Sequence, residues 1–254
     1  MSNWMSTLEE FRQKGTPTVM VTVTQCTGST PREPGAKMLV TSEGLMWGTI
    51  GGGHLEECAL QDARRCLNEG KTQTIRYPLG AKTGQCCGGV VELLFEVLNT
   101  GPHLYLFGAG HVGQAVCKVM VGTPFLVHLI DDRKEWIRQE SIPKEVICHE
   151  CEWDEFVEQA KWDPEKTYVA IMTYRHDVDQ EIVKNLVCRQ MRYLGLIGSQ
   201  SKWERFKQRL QLQGISESEF AKVRCPLGLP IGGKSPQEVA ISLASELLQN
   251  YYGK

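Results

Sequence analysis

Two adjacent cysteines, Cys86 and Cys87, occupy a glycine-flanked turn, Gly84-Gln85-Cys86-Cys87-Gly88-Gly89, between two strand-like runs. Glycine on both sides bends the backbone and leaves the thiols uncovered by neighbouring side chains, a setting that suits sulfur or metal handling better than packing. The alternative is a pair of small buried hydrophobes. A second chemical pattern is Gly108-Ala109-Gly110-His111-Val112-Gly113, which follows a strand-like run and opens a helix-like one. Backbone N–H groups at such a start face a phosphate or pyrophosphate, and Gly108, Gly110 and Gly113 let it approach. Asp131 ends the next strand, 18 residues past Gly113, where a carboxylate accepts hydrogen bonds from ribose hydroxyls. The alternative is that the glycines only pack helix on strand.

Two further glycine runs lead into helices. In Gly48-Thr49-Ile50-Gly51-Gly52-Gly53 the N–H groups of Gly51, Gly52 and Gly53 are candidates for a phosphate, and in the run 225–234 Gly232 and Gly233 are joined by Lys234 as a counter-charge. Neither has the spacing of a P-loop, and tight turns are the competing reading. Cys148-His149-Glu150-Cys151 is a C-x-x-C pair, but a closed zinc site needs two more ligands and no second such pair exists. For hydride transfer the best proton donor is His176, at the carboxyl end of a strand.

These residues need elements to hold them. Valine- and threonine-rich residues 18–26 and residues 37–41 read as strands around a proline- and glycine-rich loop. Leu55, Cys58, Ala59, Ala63, Cys66 and Leu67 recur at helical spacing over 54–68. Residues 72–79 and 90–98 read as strands on either side of the double cysteine. Residues 1–100 are therefore expected to form an N-terminal α+β domain. The breaker cluster Asn99-Thr100-Gly101-Pro102 marks the boundary. Beyond it strands at 103–107, 125–130, 168–173 and 193–197 alternate with helices at 112–121, 177–191 and 202–212. A final helix runs from Ser235-Pro236-Gln237-Glu238 to about 250. The alternation predicts an α/β fold, a Rossmann-like doubly wound parallel sheet over 101–254 that binds a nucleotide.

With 254 residues, 41% of them hydrophobic, the chain has ample material for a core, and a formal charge of −2 gives no basic surplus for nucleic acid. No apolar run approaches the roughly 20 residues that span a bilayer, and residues 1–14 carry Glu9 and Glu10 where a leader would be apolar. Ten cysteines without regular spacing read as reduced thiols, and the expected location is cytoplasmic.

Taken together the motifs resemble the xanthine dehydrogenase accessory factor family, XdhC/CoxI. The blocks that carry the likeness are Gly28-Ser29-Thr30-Pro31-Arg32-Glu33-Pro34-Gly35-Ala36-Lys37-Met38, Gly48 to Gly53 with Leu55-Glu56, Gly84 to Gly89, Leu106 to Gly113, Gly195-Leu196-Ile197-Gly198-Ser199, and Gly228 to Lys234. The resemblance covers nearly the whole chain. It implies a maturation factor that binds the molybdenum cofactor (molybdopterin), protects it during sulfuration and delivers it to a xanthine dehydrogenase-type molybdenum hydroxylase, with a cysteine desulfurase as sulfur donor. On that reading Cys86 and Cys87 contact molybdenum or a persulfide sulfur, because a soft thiolate suits either. Arg32 offers a fork that matches the cofactor phosphate; an ion pair with Glu33 is the alternative. One block departs from the family, whose members often show Met-Thr-His-Asp-His where this chain has Met172-Thr173-Tyr174-Arg175-His176. A homodimer would cover the sheet edges of the first domain. The competing function is an NAD(P)-dependent oxidoreductase with His176 or Tyr174 as proton donor, and a third is a redox sensor using Cys86 and Cys87.

Overall fold

The structure, a computed structural model, describes residues 3–80 and 88–253. The chain divides into two units, Met1–Thr100 and Gly101–Lys254.

In the first unit five strands, β1 (Thr18–Thr27), β2 (Lys37–Thr41), β3 (Gly44–Gly48), β4 (Gln73–Pro78) and β5 (Val90–Leu98), form an antiparallel sheet in the order β3-β2-β1-β5-β4. Period-two alternation puts Val19, Val21 and Val23 of β1 and Val91, Leu93 and Phe95 of β5 into one core. Helix α2 (Gly53–Glu69) covers that face with Leu55, Ala59, Ala63 and Cys66, all buried. It stops at Gly70, whose φ of 63° a side chain would strain and whose N–H reaches the carbonyls of Cys66 and Leu67. Helix α1 (Trp4–Gln13) and strand β3 lie outside the sequence expectation. The first starts on Asn3, whose side chain accepts the Met5 N–H. The second is a mostly exposed edge strand, paired with β2 through a hairpin, and its burial pattern lacks the alternation that would announce it.

The second unit contains β6 (His103–Phe107), α3 (His111–Met120), β7 (Leu126–Ile130), α4 (Lys134–Ile137), β8 (Ile147–His149), α5 (Trp153–Gln159), β9 (Thr167–Ile171), α6 (His176–Leu186), β10 (Tyr193–Leu196), α7 (Gln200–Gln211), α8 (Glu217–Phe220), β11 (Val223–Arg224) and α9 (Pro236–Tyr252). Its strands are all parallel, in the order β11-β10-β9-β6-β7-β8. This is the doubly wound Rossmann arrangement, with the reversal of strand order between β6 and β9. Leu104 and Leu106 face one core with α3 and α9, and Tyr105 and Phe107 face the other with α5, α6 and α7. Helix α9 begins with the capping box the sequence announces: the Ser235 hydroxyl accepts the Glu238 N–H while the Glu238 carboxylate accepts the Ser235 N–H. Helix α6 ends at Leu186 instead of continuing to 191, because the Arg189 N–H turns back to Leu186 O and the Arg192 N–H must reach Thr167 O to enter β10. Strand β8, helices α4, α5 and α8, and strand β11 are too short to register as periodic patterns. No described helix is long and apolar enough to cross a membrane.

Candidate functional site

In the second unit the glycine turn between β6 and α3 stands at the carboxyl end of the sheet, beside the switch point. Its glycines have different tasks. A Cβ on Gly113 would meet Gly108 O at 2.0 Å, and one on Gly108, at a φ of 116°, would meet Met172 O at 2.4 Å, so both allow close packing of turn, helix and β9. Gly110, by contrast, has nothing within 4 Å of its Cβ position. The N–H groups of Gly110, His111 and Val112 have no acceptor among the described residues. Open space above unpaired donors at the start of a ten-residue helix is a cradle for an anion.

Asp131 stands next to that turn and is 6% exposed. Its Oδ2 accepts the Ala109 N–H at 2.6 Å and an Arg133 N–H at 2.8 Å, while Oδ1 accepts the Arg133 backbone N–H at 3.0 Å and Nε at 2.8 Å. Burial alone would raise this carboxyl; the hydrogen bonds from Arg133 and Ala109 outweigh it and hold it below the usual carboxylate range. The Arg133 guanidinium lies 3.9 Å from the centroid of Tyr174 and 5.1 Å from that of Trp136. Arg133 therefore occupies both oxygens of the carboxylate that a ribose would need, and the cavity lined by Gly108, Asp131, Cys151 and Tyr174 is only about 80 Å³. His176 opens α6 with a side chain that is 79% exposed, its Nδ1 3.7 Å from Asp179 Oδ2. Gly232, Gly233 and Lys234 line a larger cavity of about 670 Å³ at the end of β10. The Lys234 and Ser235 N–H groups there are both taken by the Glu238 carboxylate.

In the first unit the β1–β2, β3–α2 and β4–β5 connections all leave the same end of the sheet, as the antiparallel registers require. A Cβ on Gly51 would strike Pro31 at 2.6 Å and come within 3.7 Å of Arg32 Cγ, so the Arg32 loop lies directly over the glycine turn. One on Gly89 would meet Ser29 O at 2.4 Å and Thr27 O at 2.6 Å, so the chain following the double cysteine passes against the same loop. Cys86 and Cys87 themselves lie outside the described residues. Arg32, Gly51, Gly52 and Gly53 are thus brought together with the described flank of the cysteine segment. Among the sequence motifs Glu56 appears only beside Leu55 and with no role, yet its Oε2 accepts the Ile50 and Gly52 N–H groups, each at 3.1 Å, and the Thr49 hydroxyl at 2.6 Å. A carboxylate of the chain itself therefore fills much of that turn. Also missed were Cys26, whose Sγ is 3.2 Å from Arg32 O, and the His54–Cys58 pair, 3.5 Å apart on the first turns of α2. Cys58 and His54 are four residues apart, which was the available signal. Cys148 lies on β8, where burial raises its thiol, and among the described residues no group of three His, Cys, Asp or Glu side chains is placed to hold a metal ion.

A family model described as the XdhC Rossmann domain matches residues 104–247, and one described as the XdhC and CoxI family matches residues 11–78. The chain is 30% identical over 245 residues to the uncharacterized protein YqeB of Escherichia coli K12, covering 94% of this chain and 44% of that one. It is 25% identical over 198 residues to a probable xanthine dehydrogenase subunit from Bacillus subtilis, covering 78% and 54%. These first two relatives are about twice as long as the stretch this chain spans. It is 24% identical over 270 residues to the molybdenum cofactor insertion chaperone PaoD of E. coli K12, covering 94% and 85%. A crystal structure from Bacillus halodurans, described as a xanthine dehydrogenase, superposes with a TM-score of 0.53 at 20% identity over 100% of this chain and 97% of that chain, a likeness of fold.

Proposed function

The chain belongs to the XdhC and CoxI family, and from that premise we propose that it is a maturation factor for a molybdenum enzyme. It binds the molybdenum cofactor, shields it during sulfuration and passes it to a xanthine dehydrogenase-type hydroxylase. A cysteine desulfurase is the sulfur donor, the compartment is the cytoplasm, and the working unit is a homodimer. Residues 1–100 carry the sulfur chemistry and residues 101–254 hold the nucleotide or pterin phosphate. The observation that carries the reading is the convergence of Arg32, Cys26 and the Gly51–Gly53 turn with the described flank of the Cys86–Cys87 segment at one end of a sheet. An arginine and a cysteine brought to one end of the sheet suit a phosphorylated, sulfur-ligated cargo. Cys86 and Cys87 supply the soft ligands, and the donors at Gly110 take a phosphate. The cargo brings the metal and its exchangeable terminal ligand; the chain's part is to bind, orient and exclude water.

Co-expression with a client dehydrogenase tests this, with bound molybdopterin and client activity measured in wild type, Cys86→Ala and Cys87→Ala. Both quantities fall in the variants. Unchanged cofactor content and client activation in both would reject the cysteine role. A second reading, an NAD(P)-dependent oxidoreductase, draws on the same open turn at Gly110. Calorimetric titration with NADH and NADPH, followed by a search for turnover, separates it: turnover of a small substrate favours the enzyme.

A further inference from the structure

The groove between α6 and α7 opens beside the β6–α3 turn, sharing Thr173 with the small cavity there and carrying His176 in its lining. It is a cavity of about 560 Å³ whose walls include Thr173, Asp179, Lys202, Arg205 and Arg209. Lys202, Arg205 and Arg209 follow one another at three- and four-residue spacing and so share a face of α7, while Trp203, Phe206 and Leu210 bury the adjacent one, with the Lys202 ammonium 5.3 Å from the Phe206 ring centroid. Three cations thus line one wall in a chain whose formal charge is −2. The one carboxylate in the lining, Asp179, is fully buried and fully engaged. Its Oδ1 accepts the Thr173 N–H at 3.0 Å and hydroxyl at 2.7 Å, and its Oδ2 accepts the Lys202 ammonium at 2.8 Å.

Lys202 is the decisive group. Its side chain is 15% exposed, and an ammonium has three donors, of which one goes to Asp179 and one to Ile197 O at 3.2 Å. The third has no acceptor among the described residues. Arg209 gives one N–H to the neutral Gln180 at 3.3 Å, and Arg205 has no acceptor among the described residues. Neighbouring acids are engaged elsewhere, Asp177 with Arg175 and Glu204 with Lys207. An isolated surface arginine is ordinarily just solvated. Here two guanidinium groups flank an anchored, little-exposed ammonium with a spare donor, at the carboxyl ends of β9 and β10 where doubly wound sheets receive ligands.

We infer that this groove binds a phosphoryl dianion, held by the Lys202 ammonium and the forks of Arg205 and Arg209. Three cations against one buried carboxylate leave a surplus that a dianion neutralises and a carboxylate does not, and guanidinium geometry matches phosphoryl oxygens in pairs. A nicotinamide ring, carrying no negative charge, fits poorly. The site is separate from the Gly110 turn and stands whether or not the molybdenum cofactor is the cargo.

Calorimetry on the full chain, titrated with cytidine 5′-monophosphate, cytidine and inorganic phosphate, tests the assignment. The nucleotide binds and cytidine does not; competition by inorganic phosphate tells a free anion from an ester. Arg205→Gln with Arg209→Gln, both exposed positions, weakens phosphoryl binding at this site at least tenfold while the melting temperature is unchanged. Equal affinity and stoichiometry in the double variant and wild type, or no phosphoryl binding in either, overturns the assignment. The cofactor reading is judged separately by molybdopterin content, so either can fail alone.

Discussion

Arg133 ties two groups that line the small cavity at the glycine turn to one side chain: the Asp131 carboxylate and the Tyr174 ring. Removing that side chain leaves a buried carboxylate with only two backbone donors, the N–H groups of Ala109 and of residue 133. Arg133→Ala is therefore expected to cost about 1–3 kcal/mol at pH 7, read by urea denaturation. A depressed carboxyl contributes stability above its unfolded value of 3.8 and loses it as pH falls through the native value, so the wild type loses this contribution on acidification and the variant has less to lose. Equal wild-type and variant stabilities at pH 7 would contradict the assignment. Among the glycines, Gly113→Ala forces a Cβ to 2.0 Å from Gly108 O and is expected to prevent folding or lower the melting temperature by more than 10 °C, on the order of 3 kcal/mol or more. Gly110→Ala meets open space at a φ of −65° and keeps the melting temperature within a few degrees while weakening nucleotide binding. Thermal melts beside calorimetry separate the packing glycine from the binding glycine.

Across β6, β7 and β8 runs a chain of imidazoles. His103 Nδ1 lies 2.9 Å from His128 Nε2, and His128 Nδ1 lies 3.0 Å from His149 Nε2, with His128 6% exposed. A neutral imidazole has one donor and one acceptor, so three can satisfy one another in series; a protonated His128 would point two donors at its neighbours. Burial, reinforced by the two flanking histidines, holds His128 well below 6.5, and burial likewise lowers His103 and His149. Below pH 6.5 the unfolded chain therefore binds more protons than the native one. The stabilisation is intact above that pH and is lost as pH falls, at about 1.4 kcal/mol per pH unit for a histidine that stays neutral when folded. Denaturation series between pH 7.5 and 5 should show stability falling in wild type and falling less steeply in His128→Asn. Parallel pH curves for the two proteins would show that the chain does not titrate this way.

Each unit of the molecule has apolar clusters of its own, one under the antiparallel sheet and two on the faces of the parallel sheet. Fragments 1–100 and 101–254 are accordingly expected to fold separately, each with a cooperative thermal transition followed by circular dichroism; a non-cooperative melt for either would show that its core is incomplete alone. The Rossmann architecture could be read from the chain because it depends on local periodicity: strand–helix alternation past Pro102, and Gly108 to Gly113 between an apolar strand and an apolar helix face. Elements of two to five residues, such as β3, β8 and β11, escaped because so few side chains define no period. The glycine turns were visible, but what fills them was not. Glu56 reaching back across the turn at Gly52, and Arg133 closing over Asp131, are contacts made by side-chain reach, on which spacing is silent. The same holds for the basic groove: Asp179 and Lys202 are 23 residues apart, and nothing local joins them. Sequence thus establishes which stretches fold and where backbone donors gather, since those follow from neighbours along the chain. Which donors stay open, and which cations keep a spare proton, depends on groups brought together from distant positions by packing.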